Sequence, residues 1–343
     1  MESDLRISKD TTLRESAIRP EHLMQGQAEV CAADIRRLLQ YKDDFVHVPC
    51  PACGSENASN VFEKHELSYV ACSGCGTMYI NPRPTSAILE MYYITSQNYW
   101  YWNKYIFPTS EKARRDKIFR PRAERIANIC HDNDIEDGVL LEVGAGFGTF
   151  CEEIQRLQLF RHVIAVEPTP DLAETCRQKG LEVIEKPIEQ VSIGKNTITV
   201  VASFELIEHL FSPRDFLLTC HALLSPGGLL VVTCPNVKGF ETVVLREISS
   251  TFGGEHLNYF HPASLAHLTE ACGFETLDVL TPGKLDAELV RKKILAGELD
   301  VSSQPFLKQV LVDEWDRIGD NFQQFMADNL LSSHMWIVAR KLA

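Results

Sequence analysis

Apolar positions change their spacing several times along this chain. Residues 20–41 repeat at helical intervals, with Val30, Ile35, Leu38 and Leu39 near one face. Residues 48–84 lose that period. Short apolar runs, Leu67–Ala71 and Thr77–Ile80, stand between Gly, Cys and Pro there and predict small strands. Residues 85–130 return to helix and are crowded with rings: Tyr92, Tyr93, Tyr99, Trp100, Tyr101, Trp102, Tyr105 and Phe107. From residue 136 apolar runs alternate with amphipathic stretches. Strands are predicted at Gly138–Val143, Val163–Glu167, Val183–Glu185, Ile198–Ser203, Gly228–Cys234 and Thr276–Leu280. Helices are predicted between them, at Phe150–Leu157, Asp171–Lys179, Pro213–Leu223 and Pro262–Cys272. This alternation implies an α/β domain whose parallel sheet is covered by helices on both faces. Residues 284–331 read as a helical insertion, and His334–Ala339 as a strand returning to the sheet. Four segments result: a helical arm (1–48) with a frayed start, a cysteine-punctuated unit (49–84), an aromatic helical linker or lid (85–135) and the α/β domain (136–343).

Composition narrows the function classes. Of 343 residues, 45% are hydrophobic and 24% charged, which is ordinary for a globular chain. The net charge of -13 weighs against nucleic acid as the main partner. The one basic run, Lys112, Arg114, Arg115, Lys117, Arg120 and Arg122, is expected to be a solvated helix face. No apolar run predicts a membrane span, and the polar first residues carry no secretion signal. Scattered and paired thiols together suit a reducing cytoplasm.

Eleven cysteines are present. Seven of them (Cys31, Cys130, Cys151, Cys176, Cys220, Cys234, Cys272) lie in apolar or helical contexts and are expected in the core. The other four form two pairs, Cys50/Cys53 and Cys72/Cys75, each followed by a glycine. Thiolates two residues apart on a tight turn can share one tetrahedral ion, so these pairs predict a zinc ribbon. Four thiolates close the ion's coordination, which makes its role structural.

After the first α/β strand comes Glu142-Val-Gly144-Ala-Gly146-Phe-Gly148, with glycines where a ligand must approach the backbone closely. An acidic residue heads the loop, and Thr149 stands where a dinucleotide fingerprint would have its third glycine. Both features suit an amine-bearing ligand better than a pyrophosphate. The second strand ends in Glu167-Pro168, a carboxylate placed for the two hydroxyls of a ribose. Ile188 follows the third strand, where an adenine-contacting segment is expected.

The runs LLEVGAGFGTF, VIAVEPTP, VVASFELIEHLFSPRDFL and LLSPGGLLVVTCPN make residues 138–281 resemble a class I S-adenosylmethionine-dependent methyltransferase core. The resemblance implies a Rossmann-like seven-stranded sheet with helices on both faces, whose antiparallel last strand is supplied by the tail SSHMWIVARKLA. It implies that Gly144, Gly146 and Gly148 shape the methionine-side loop and that Glu142 contacts the amino group. Glu167 would take the ribose, and Ser203 and Phe204 would lie near the sulfonium. With the cysteine unit in front, the chain is similar to a bacterial group associated with surface-polysaccharide or secondary-metabolite genes. More distantly it is similar to deoxysugar C-methyltransferases, but it lacks their long additional C-terminal domain. The expected reaction is therefore O-methylation of a sugar or glycan hydroxyl, with a quinone or polyketide phenol as the alternative acceptor. A silent cofactor-binding subunit is the alternative role.

Glu205-Leu-Ile-Glu208-His209 follows the fourth strand. At helical spacing its two carboxylates and imidazole share one face and can hold a divalent ion such as Mg²⁺. His256 is the expected second imidazole, with His261 as the alternative. Small-RNA 2′-O-methyltransferases and ubiquinone-pathway O-methyltransferases look similar in this box. An ion there would ease deprotonation of the acceptor hydroxyl. Without an ion, His209 becomes the general base, with Glu208 and His256 beside it.

Overall fold

The structure, a computed structural model, describes residues 13–342; the expected frayed start of the arm lies outside them. Eleven strands are found among the described residues, β1 (Ala58–Lys64), β2 (Leu67–Cys72), β3 (Met78–Ile80), β4 (Val139–Val143), β5 (His162–Val166), β6 (Glu182–Ile184), β7 (Ile198–Phe204), β8 (Leu224–Pro235), β9 (Asn258–Tyr259), β10 (Phe274–Leu280) and β11 (His334–Lys341). Seven of them form one sheet in the order β10-β11-β8-β7-β4-β5-β6. Its pairs are parallel except where β11 lies antiparallel between β8 and β10. The tail strand thus enters the sheet as the resemblance implies.

Strand periodicity sorts the core into two layers. Leu141, Val143, Val201, Leu230 and Val232 face one side, against Phe216, Leu217, Cys220, Leu265 and Leu268 of the helices Pro213–Leu223 and Pro262–Ala271. Leu140, Val200, Ala202, Leu229 and Val231 face the other, against Ile126, Cys130, Phe150 and Ile154. Six of the seven unpaired cysteines are buried as expected; Cys31 is only half-buried. No helix among the described residues is long and apolar enough to cross a membrane.

The cysteine unit is larger than its sequence suggests. β1, β2 and β3 form an antiparallel sheet whose fourth strand is β9, contributed from far along the chain. β1 carries no clear alternation and is exposed over most of its length, which is why no strand is expected there. Cys50, Ala52, Cys72 and Tyr79 pack into the same core layer as Leu141 and Val201, so the unit is fused to the α/β domain.

The arm helix Glu21–Leu39 buries Ile35, Leu38 and Asp34. The Asp34 carboxylate accepts from Ser96 Oγ at 2.7 Å and from the Asn98 amide at 2.9 Å, capping the start of the aromatic segment. The basic run is only partly a solvated face: Lys112 is exposed, but other members are paired. Arg115 reaches Glu152 and Glu153 at 2.7 Å each, and Arg120 reaches Glu153 at 3.1 Å. Both glutamates lie on the helix Thr149–Arg156 that follows the glycine loop, so the linker is pinned to it.

The helical insertion is tied to β11 by Asp286. This buried carboxylate accepts from Ser332 Oγ at 2.6 Å, from Gln323 Nε2 at 2.9 Å and from the Ser333 amide. Asp286→Ala strands those donors and is expected to lower the unfolding free energy by about 2 kcal/mol. Urea denaturation should show a lower midpoint with an unchanged slope. An unaltered midpoint would mean that the insertion is held by other contacts.

Candidate functional site

The ends of β4, β5 and β7 open on one side of the sheet, where the loop after β4 begins. Gly144, Gly146 and Gly148 all have positive φ. A Cβ on Gly148 would come within 2.4 Å of Leu181, whereas one on Gly146 would meet nothing within 4 Å. Gly148 is crowded by Leu181 and Cys176, while Gly146 leaves open space of the kind a ligand fills. Gly144 and Ala145 donate to the Val166 carbonyl, which fastens the loop to the end of β5.

Glu142 is buried on β4 and accepts from Cys151 Sγ at 2.9 Å. Burial pushes its carboxyl up to about 8, against the opposing pull of Cys151 and Arg122. Glu167, also buried, accepts from the Gly146 amide at 2.8 Å and the Thr169 amide at 2.9 Å. The same carboxylate that suits a ribose therefore also sets the loop. Ser203 donates to the Val143 carbonyl at 3.0 Å, and Phe204 stacks edge-on to Phe150. Ile188 is buried in the core layer, while Pro168 is exposed beside Glu167.

Arg122, which the sequence reading assigned to the surface, lies among the candidate site residues. Its guanidinium lies 4.2 Å from the Phe204 ring centroid and faces Glu142 and Glu205. The aromatic segment also reaches the site at two points. Phe107 stacks on Phe147 of the glycine loop, with centroids 3.7 Å apart. Tyr93 donates its hydroxyl to the His209 carbonyl at 3.1 Å. Between these contacts, Tyr93, Tyr99, Trp100, Asn103, Thr169 and Leu172 border a cleft of about 150 Å³. A larger hollow of about 250 Å³ lies by Asp137 and Gly228, at the opposite end of β4.

The Glu205–His209 box is not helical throughout. Glu205 has φ of 53°, and only Ile207–His209 forms a short 3-10 turn. Glu205 consequently departs from the face that helical spacing gave it. It accepts from Thr233 Oγ1 at 2.6 Å and lies 2.9 Å from His334 Nε2. Glu205 is 41% exposed, and His334 and Thr233 hold its carboxyl below the usual range.

Glu208, His209 and His256 do come together, with their ligand atoms within 4.8 Å of one another. His209 Nδ1 lies 3.1 Å from the Glu255 carbonyl, and His256 Nδ1 lies 2.9 Å from that of Thr251. A carbonyl only accepts, so both rings carry their proton on Nδ1 and present a lone pair at Nε2. Glu208 is buried, and neither carboxylate oxygen has a hydrogen-bond partner. Burial, and next Glu205, push this carboxyl well above the usual range. Burial and the neighbouring His256 lower His209 to about 3. His261 takes no part: its Nε2 lies 2.8 Å from the Cys75 carbonyl, on the cysteine unit.

The four paired cysteines also converge. Cys50 and Cys75 have sulfurs 3.5 Å apart, as do Cys53 and Cys72. Sulfurs about 2.3 Å from a tetrahedral ion would lie at a similar separation. The Gly74 amide donates to Cys72 Sγ at 3.3 Å. Amides of Cys75 and Gly74 draw this thiol down to about 7 against the effect of burial.

Several known proteins are similar to part of this chain. A solved S-adenosylmethionine-dependent methyltransferase from Archaeoglobus fulgidus aligns with 69% of this chain and 100% of its own, at TM-score 0.48 and 20% identity. The ubiquinone biosynthesis O-methyltransferase of Caulobacter sp. (strain K31) is 31% identical over 120 residues, covering 33% of this chain and 46% of that protein. That of Caulobacter vibrioides is 29% identical over 195 residues, covering 54% and 69%. A probable S-adenosylmethionine-dependent methyltransferase of Mycolicibacterium smegmatis is 26% identical over 194 residues, covering 54% and 63%. The chain thus spans 46% to 69% of the length of these curated relatives. Residues 112–279 match the family described as a methyltransferase domain. With that match spanning the glycine loop, Glu167 and the Glu205–His209 box, residues 112–279 form a methyltransferase domain.

Proposed function

We propose that the chain transfers a methyl group from S-adenosylmethionine to an acceptor oxygen, aided by a divalent ion on Glu208, His209 and His256. The observation that carries the ion is Glu208. A buried carboxylate without a partner is costly unless a cation or a proton meets it, and two imidazole lone pairs lie beside this one. Two nitrogens and one carboxylate suit Mn²⁺, Co²⁺, Fe²⁺ or Zn²⁺ better than the Mg²⁺ expected from two carboxylates, since Glu205 has turned away. A bound ion would supply Lewis-acid polarisation of the acceptor oxygen. The imidazole alone is a weak substitute, because a ring lowered to about 3 takes up a proton poorly.

S-Adenosylmethionine would supply an electrophilic methyl group at its sulfonium. Glu142 and Arg122 would hold the amino and carboxylate ends of its methionine, and Glu167 its ribose hydroxyls. Pro168 and the segment at Ile188 would border the adenine, with Ser203 and Phe204 near the sulfonium. The residues bordering the cleft under Tyr93 and Trp100 would receive the acceptor and exclude water, making the aromatic segment a lid. The acceptor is expected to be a small molecule with two adjacent oxygens. The relatives' printed names favour a quinone-precursor phenol; the sugar hydroxyl expected from the cysteine-unit resemblance shares that feature. Ion pairing of the basic run supports a small acceptor over nucleic acid. The four thiolates would hold a structural zinc.

Calorimetric titration with S-adenosylhomocysteine should show binding that Glu167→Ala weakens by about tenfold to a hundredfold, the loss of one charge-assisted hydrogen-bonded group. Undisturbed binding in that variant would remove Glu167 from the cofactor site. In turnover assays on catechols and sugar diols, Mn²⁺ or Co²⁺ should restore activity to chelated enzyme but not to Glu208→Gln. Intact cofactor binding with no turnover on any acceptor would favour the silent subunit.

Metal analysis should find one zinc per chain, released by Cys72→Ser together with a lower melting temperature. A zinc-free wild-type chain with the same melting temperature would end the ribbon reading.

A further inference from the structure

Between Thr251 and His261 the chain passes from the imidazole pair to the cysteine unit. Asn258 and Tyr259 pair with Tyr79 and Met78 of β3, and His261 meets the Cys75 carbonyl. Asn258 is buried at the centre of this run. Its amide nitrogen donates to the main-chain carbonyls of Leu210 at 2.7 Å, Ile207 at 3.2 Å and Glu208 at 3.3 Å. Its Oδ1 accepts from Arg83 Nη1 at 3.0 Å. Arg83, buried just after β3, also donates to the carbonyls of Ile80 at 3.2 Å and Phe211 at 3.3 Å. The main chain makes a parallel link: the Ile80 amide donates to Leu257, whose own amide donates to the Glu208 carbonyl at 2.7 Å.

These contacts have a common target. A 3-10 turn as short as Ile207–His209 makes few bonds of its own, so its orientation must be set from outside. Four consecutive peptide carbonyls of residues 207–210 are accounted for in this way: Asn258 takes those of 207, 208 and 210, and Tyr93 takes that of His209. The side chains of Glu208 and His209 leave the backbone between these points. His256 stands two residues before Asn258, so the same strand fixes the opposite imidazole.

We infer that Arg83 and Asn258 are positioning residues for the Glu208–His209–His256 site, through which the cysteine unit sets the site's geometry. Neither side chain is among the three converging ligands, so both act through the turn and strand that carry them. The inference rests on the ion reading only for the second of two readouts.

The first readout needs no ion. In full-length, zinc-loaded protein, the ring-nitrogen resonances of His209 and His256 are compared in wild type, Asn258→Asp and Arg83→Lys. Asn258→Asp keeps the acceptor for Arg83 but turns an oxygen toward three carbonyls; Arg83→Lys keeps the charge and loses the fork. Both variants are expected to shift both rings while zinc content and the cooperative melt persist. Rings that stay at their wild-type positions in both variants overturn the inference. If Asn258→Asp fails to fold, Arg83→Lys decides the matter alone. The second readout is Co²⁺ titration of the same proteins, in which either variant is expected to weaken binding by about tenfold or more. Glu208→Gln separates the two claims. If it binds Co²⁺ as wild type does, the ion reading fails, and the ring resonances still decide the positioning role.

Discussion

Much of this structure depends on the buried carboxamide of Asn258 and the guanidinium that holds it. A polar group taken from water must find partners, and a buried arginine is especially demanding. Here the partners are the main-chain carbonyls of Ile80, Phe211 and Leu210 and, for Arg83, the Asn258 side-chain oxygen, while Arg83 Nη2 has none. That requirement joins β3 of the cysteine unit to the turn after β7. It also explains why a two-residue strand, β9, is completed by a sheet from the other end of the chain. The cysteine unit and the α/β domain bound in this way share one core layer, as Cys72, Tyr79, Leu141 and Val201 do.

The cofactor side follows a different constraint. Glu167 binds the Gly146 amide, and Gly144 and Ala145 bind the Val166 carbonyl, so the loop is braced before any ligand arrives. Preorganisation of this kind spares the loop from ordering at the moment of binding. The linker adds a second brace, since Arg115 and Arg120 engage the helix after the loop and Phe107 stacks on Phe147. Two arginines of the basic run thus join the linker to the helix after the glycine loop.

Glu205 shows where periodicity misleads. Helical spacing places it with Glu208 and His209, but the chain leaves β7 with a left-handed residue at this position. Such a conformation costs a non-glycine residue about 1–3 kcal/mol. Bonds to Thr233 and His334 accompany it, and the residue ends on the β11 side of the site instead of the imidazole side. His334 carried no signal of its own beyond lying at the start of a tail strand. Arg122 was visible only as one of several basic residues, because nothing local distinguishes a cation under Phe204 from one in water.

By itself the sequence determined most elements of the α/β domain and the motifs at their ends. Strand–helix alternation, the glycine loop, the acidic end of β5 and the paired cysteines are all local patterns, written in neighbours that backbone geometry must bring together. The order of the sheet came with the family resemblance, since periodicity says which residues are buried but not against which strand. Only the tertiary structure decided that β9 completes the sheet of the cysteine unit, that Glu205 leaves the box, that Arg83 and Asn258 bond to the turn after β7, and that Arg122 lies against Phe204. Each of those depends on pairing between residues far apart in the chain. Such pairs form because buried donors and acceptors must be matched wherever the fold leaves them, a requirement that no single stretch of sequence displays.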